Sequence, residues 1–178
     1  MRLWPRVPAG PAVGLCVRFL LLAPVCLVLW LLILPWYVWL VAHTAQLVLA
    51  TIFAAPLVDT SVKSAGLLNC ATEIAFSTAT GGQLTMKSVG HLVGNLAPFL
   101  ALMLATPGIA VNRRLKSVGL GVAILFISHV FTLMLRYGQG RTALTTAVGF
   151  VSITLPFLLW IILAFRDIVT HPKAPVAN

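Results

Sequence analysis

Acidic residues are almost absent from this chain of 178 residues, which contains only Asp59, Glu73 and Asp167. None of the three lies within the long apolar stretches, so the buried acidic relay that a proton-coupled carrier uses is not expected. Charged residues of both signs make up only 8% of the chain, against 60% hydrophobic residues. Because so few charged side chains do not cover the surface of a soluble domain, the composition excludes an ordinary cytosolic enzyme.

Cysteine is also scarce, and the three that occur are Cys16, Cys26 and Cys70. Their number is odd, and they have neither CxxC spacing nor a ligand-like spacing to histidine. We therefore predict neither a disulfide framework nor a metal site. The sequence also lacks a P-loop, an HExxH motif and a GxSxG motif, which argues against the common ATPases, zinc proteases and hydrolases. No cofactor is expected.

The apolar runs indicate the fold class. They are about 18 to 24 residues long, which suits membrane-crossing helices and not the alternating strands of roughly ten residues in an outer-membrane barrel. We predict one polytopic all-α membrane domain with about four transmembrane helices and a small extracytoplasmic β-hairpin. Its predicted parts are a basic tail (1–18), a long kinked helix (19–57), the hairpin region (60–88), three further transmembrane helices (89–107, 118–135 and 143–165) and a second tail (166–178).

The twelve Lys and Arg residues give a net charge of +9. They lie between the apolar segments, so we interpret them as topology signals in a protein surrounded by lipid, with no nucleic-acid partner. With a single span before Asp59, eight cations are cytoplasmic and four are outside; a second crossing through residues 41–57 divides them seven to five. The first division favours a bacterial inner-membrane protein with both termini in the cytoplasm, and the second crossing is the competing interpretation.

Residues 60–88 form the only long polar segment of the sequence. Alternating polar and apolar residues at 72–78 and 83–87 flank Gly81 and Gly82, which predicts a β-hairpin. A lone hairpin is marginal in water, so its apolar face should pack on the membrane surface, on the 41–57 extension or on a partner. Ile74 and Phe76 are the candidate partner-binding residues of this face.

A second candidate partner surface begins the span that follows. Gly90 and Gly94 form a GxxxG spacing, which lets another helix backbone approach closely, either within this chain or from another protein. His91 and Asn95 are four residues apart beside it, so they share a helix face and can hydrogen-bond to each other or to a neighbour.

His129 lies within the third span, where an ionisable side chain is costly and usually faces the bundle interior. A neutral imidazole bonded to a hydroxyl group of another helix explains it without catalysis. The catalytic alternative combines Cys70 as a thiolate nucleophile, His129 as a proton shuttle and Arg136 as the cation for an oxyanion.

The order of segments resembles a known family. A basic tail, the apolar segment PWYVWLVAHTAQLVLATIFAAP, the outer β region VDTSVKSAGLLNCATEIAFSTATGGQLTMKS, a span ending LALMLATPG and the basic turn RRLK are similar to small membrane proteins of bacterial exosortase systems. The nearest resemblance, over residues 18–136, is to the exosortase H-associated membrane proteins. It implies an exosortase or another integral membrane protein as partner.

The exosortases themselves are polytopic enzymes that use Cys, Arg and His in chain order. By resemblance, Cys70, Arg113 or Arg114, and His129 satisfy that order. The predicted topology puts Arg113 and Arg114 on the opposite side of the membrane from Cys70, and Cys70 lacks the glycine-containing context of the enzymes. We therefore expect a non-enzymatic accessory protein of a sorting and surface-export system. The alternatives are a divergent sortase-like cysteine transpeptidase and a small membrane carrier or channel subunit.

Overall fold

In the computed structural model the described residues form four α-helices and a three-stranded antiparallel sheet. The residues that the structure describes are 11–52, 57–64, 72–79, 81–87, 89, 93–139 and 142–170. The helices are α1 (Pro11–Ile52), α2 (Leu96–Ala105), α3 (Val111–Gln139) and α4 (Ala143–Thr170). The strands are β1 (Leu57–Ser64), β2 (Thr72–Thr78) and β3 (Gln83–Met86).

Three of these helices are long and apolar enough to cross a membrane, over Val13–Ile52, Val111–Tyr137 and Ala143–Ala164. The described part of the predicted second span is the shorter apolar helix α2, which begins after Asn95 and has ten residues. The prediction of a mostly helical membrane protein with a small β region is confirmed.

Helix α1 is one continuous helix of 42 residues with Pro24 and Pro35 inside it. At about 1.5 Å per residue it is roughly 63 Å long, about twice the thickness of the hydrocarbon core. From Trp30 to Leu49 its buried residues lie three or four positions apart, except for the adjacent Val41 and Ala42, which is the period of one helix face. Because α1 has no reversal before Ile52, residues 41–52 continue in the direction of the first span.

Side-chain contacts give the directions of the helices. Tyr37 of α1 lies against Phe126 and His129 of α3, and Thr44 and Val48 further along α1 border the same groove as Met134 further along α3. Helices α1 and α3 therefore run parallel.

Helices α2 and α4 run parallel to each other and opposite to the first pair. Asn95, just before α2, bonds Ser152, and Thr106, just after α2, bonds Trp160. The start of α1 and the end of α4 thus lie at the same end of the bundle as the turn between α2 and α3. We call this the turn end.

The sheet lies at the other end of the bundle, which we call the sheet end. Phe76 of β2 packs edge to face on Tyr137, in the last turn of α3, with ring centroids 5.7 Å apart. The predicted hairpin is β2 and β3, and its turn contains Gly81 at φ +81°. Strand β1, which we did not predict, pairs with β2 from Leu57 to Ser64.

Candidate functional site

A chain of hydrogen bonds joins all four helices. The Tyr37 hydroxyl lies 2.8 Å from His129 Nδ1, and His129 Nε2 lies 2.9 Å from Asn95 Oδ1. Asn95 Nδ2 in turn donates to the main-chain oxygen of Ser152 at 2.6 Å. One imidazole thus connects α1 and α3 to the start of α2, and the Asn95 amide extends the connection to α4.

The bonding pattern determines which ring nitrogen of His129 carries the hydrogen. A carbonyl oxygen only accepts, so Asn95 Nδ2 must donate to Ser152, and Asn95 Oδ1 faces the imidazole as an acceptor. His129 Nε2 therefore donates, which leaves Nδ1 of the neutral ring to accept from the Tyr37 hydroxyl. Both ring nitrogens are used in holding helices together.

The position of Asn95 explains why its side chain is available for this contact. Asparagine is a favoured N-cap residue, whose side chain usually bonds the first free N–H groups of its own helix. Asn95 occupies the N-cap position of α2 but makes no side-chain cap bond. Its amide instead enters the bundle, where low dielectric strengthens each hydrogen bond and makes an unpaired polar group costly.

A second polar cluster lies at the turn end. The Thr106 hydroxyl donates to the main-chain oxygen of Leu102 at 2.7 Å and accepts from Trp160 Nε1 at 2.9 Å. The main-chain oxygen of Thr106 accepts from the Arg114 guanidinium at 2.7 Å. These bonds fix the end of α2 to α3 and α4, so polar contacts hold α2 at both of its ends.

Of the residues named in the catalytic alternatives, the structure separates Arg114 from His129. Arg114 bonds Thr106 at the turn end, and it lies fifteen positions before His129 on α3, which is about 22 Å along the helix. Arg113 precedes it, and Arg136 lies about 10 Å beyond His129 in the last turn of α3. Cys70 lies outside the described residues, so its distance from His129 stays untested.

The predicted partner-binding residues fall into two groups. Ile74 and Phe76 face the helices and have no exposed surface, so in this structure they determine how the sheet packs. Gly94 is half-buried beside Asn95, at the start of α2. Gly90 and His91 lie outside the described residues.

Sequence reasoning missed Tyr37 and Ser152 as members of the hydrogen-bond chain. Tyr37 lies between Trp36 and Trp39, and this aromatic group is typical of a membrane interface. Ser152 is one of several small hydroxyl-bearing residues in the apolar helix α4, and its main-chain oxygen lies closer to Asn95 Nδ2 than its hydroxyl does. The expected partner of His129 was a hydroxyl group on another helix. The hydroxyl-bearing residues of the other spans were therefore the sequence signal that could have identified Tyr37 and Ser152.

An apolar groove of about 300 Å³ lies between α1 and α3. Neither His129 nor Asn95 borders it; its walls are Thr44, Val48, Phe126, Ile127, Val130, Phe131 and Met134. Among the described residues, no three His, Cys, Asp or Glu side chains lie close enough to hold a metal ion.

Comparison with known proteins identifies a family for this chain. The family model described as exosortase H-associated membrane protein matches residues 10–140, which include α1, the sheet, α2 and α3. No curated protein and no solved structure matched the chain.

Proposed function

The chain belongs to the exosortase H-associated membrane protein family, and on that premise we propose that it is a non-enzymatic accessory protein of an exosortase-type sorting system. In this proposal it binds a membrane-embedded partner, or the tail of a protein being sorted, and contributes no nucleophile. The partner surface we propose is the sheet end, where Gly94 of the predicted GxxxG contact lies.

The observation that carries the proposal is the bonding of His129. A proton shuttle needs a nitrogen that faces the reacting group. Both nitrogens of this imidazole instead face groups of neighbouring segments, Tyr37 and Asn95. Such a bonded network supports a rigid helical body, which suits a protein that holds a partner in a defined position.

Processing of tailed substrates in cells separates the accessory protein from the transpeptidase. Deleting the whole chain should lower the processed fraction, and Cys70→Ala should leave it at the wild-type level, because an accessory protein needs no thiolate. Cys16→Ala is the matched control, since it removes an exposed thiol from α1. Loss of processing in Cys70→Ala alone, with the protein present at normal abundance, would favour the enzyme.

We also propose that the sheet end faces the outside of the bacterial inner membrane and that both termini are cytoplasmic. The charge distribution supports this orientation, because the first turns of α3, at the turn end, carry Arg113, Arg114 and Lys116.

Thiol labelling tests this orientation. In a chain without its own cysteines, Thr85→Cys in β3 should react with a membrane-impermeant maleimide in intact spheroplasts. Lys116→Cys, at the start of α3, should react only after the membrane is permeabilised. The reverse pattern would contradict the proposed orientation and leave the order of the helices unchanged.

A further inference from the structure

Strand β3 is an edge of the sheet. The strand order is β1-β2-β3, so within the described residues no strand pairs with the outer side of β3. Its sequence QLTM contains neither a charge nor a proline, the two devices that commonly protect an edge from further pairing. Of its four residues only Met86 is buried. The main-chain groups on the outer side of β3, which pair with no described strand, suit an added strand.

The helix-facing side of the sheet contains two rows of residues that end at this edge. Val62, Ile74 and Met86 form one row, and Thr60, Phe76 and Leu84 form the other. Ile74 and Phe76 in the central strand are fully buried, whereas 37% of Leu84 is exposed. A further strand with apolar residues beside Met86 and Leu84 would extend both rows and cover Leu84.

The opposite side of the sheet carries a row of alternating charge. Lys63 of β1 is directly opposite Glu73 of β2, and Glu73 lies 4.0 Å from Lys87, which follows β3. The Lys87 side chain is 77% exposed, so most of it is open to a further contact. The charges run positive, negative, positive towards the edge, and an acidic residue would continue the alternation.

We propose that β3 is a docking edge for an extended segment of another protein whose residues alternate acidic, apolar, polar, apolar. In the paired strand the acidic residue lies beside Lys87, and the two apolar residues lie beside Met86 and Leu84. A second copy of this chain fits less well, because β3 has no acid to place beside Lys87. The inference rests on the proposed accessory function and names the kind of segment that it binds.

Binding of a synthetic peptide to the full chain in lipid nanodiscs tests the edge. The probe is a fluorescent peptide of about nine residues with Glu-Val-Thr-Val at its centre, which is long enough for one strand. Lys87→Glu should weaken its binding about fivefold and strengthen the binding of the matching Lys-Val-Thr-Val peptide, because cross-strand attraction and repulsion are exchanged. Lys63→Glu, in the same row at the far edge, is the matched control and should change neither affinity.

Three results would overturn the docking edge. The first is no binding at about 1 mM peptide, a concentration at which even weak complexes are detected. The others are equal binding of the peptide to empty nanodiscs, and equal changes of peptide affinity in Lys87→Glu and Lys63→Glu. The two proposals can fail separately. If the peptide does not bind while deletion of the chain still lowers substrate processing, the docking edge is wrong and the accessory function stands.

Discussion

Replacing His129 with alanine is expected to lower the free energy of unfolding by about 2–4 kcal/mol, which would be among the largest effects of any single substitution in this protein. The change removes both hydrogen bonds of the imidazole. It leaves the Tyr37 hydroxyl and Asn95 Oδ1 without these partners, and it opens a cavity where the ring was. Reversible denaturation in detergent micelles measures the difference.

The matched control is His43→Ala on α1. The His43 ring lies 2.9 Å from the main-chain oxygen of Trp39, four residues earlier on the same helix, so it joins no separate elements. We expect a cost below about 0.5 kcal/mol. If both substitutions lowered the free energy of unfolding equally, the hydrogen bonds of His129 between helices would contribute nothing to stability.

A double-mutant cycle tests the bond itself. Tyr37→Phe removes only the hydroxyl group, so its cost in the wild-type background includes the bond to His129. In the His129→Ala background that cost should fall by about 0.6–1.7 kcal/mol, the range of hydrogen bonds between transmembrane helices. If the free-energy costs of Tyr37→Phe and His129→Ala simply added in the double variant, the hydrogen bond between the two side chains would not be stabilising.

The second large effect is expected at Gly121, in the contact between α2 and α3. An added Cβ at Gly121 would clash with the ring of Phe99, which is itself fully buried. Gly121→Ala should therefore destabilise the protein by about 1–3 kcal/mol, as overpacking does in well-packed cores. Thermal melting in detergent, followed by loss of helical circular dichroism, measures the change.

Gly119 on the same helix is the matched control. An added Cβ there would meet nothing within 4 Å, so Gly119→Ala should be neutral or slightly stabilising, since alanine favours a helix over glycine. Phe99→Leu should recover part of the loss when combined with Gly121→Ala, because the smaller side chain makes room for the methyl group. If the Gly121→Ala and Gly119→Ala variants had the same melting temperature, the close packing of α2 on α3 at Gly121 would not contribute to stability.

Local sequence patterns predicted the β-hairpin but not the strand beside it. Residues 72–78 and 83–87 alternate and flank two glycines, and the structure has β2 and β3 there. In β1 the residues that face the helices include Thr60 as well as Val62, so its apolar pattern is weak. Pairing with β2 and packing near α1 form this strand, and neither can be read from eight residues alone.

In the candidate site, too, local sequence predicted one part and tertiary contacts decided the other. His129 is conspicuous in an apolar span, and a hydroxyl group on another helix was the expected partner. Tyr37 supplies that hydroxyl from a position 92 residues away, and Asn95 reaches His129 from the N-cap of α2. Asn95 was expected to share a helix face with His91, and no local pattern indicates that its amide turns towards α3 and α4 instead.

The sequence by itself determined that this protein belongs in a membrane, which segments are apolar enough to cross it and which segment forms a hairpin. These properties follow from length, hydropathy and two-residue alternation, which act locally along the chain. Only the tertiary structure decided that four helices share one hydrogen-bond chain through His129 and that β3 is an edge of the sheet formed by the described strands. In low dielectric an isolated polar group is costly, so the helices pack where Tyr37, His129 and Asn95 satisfy each other. That condition depends on residues far apart in the chain.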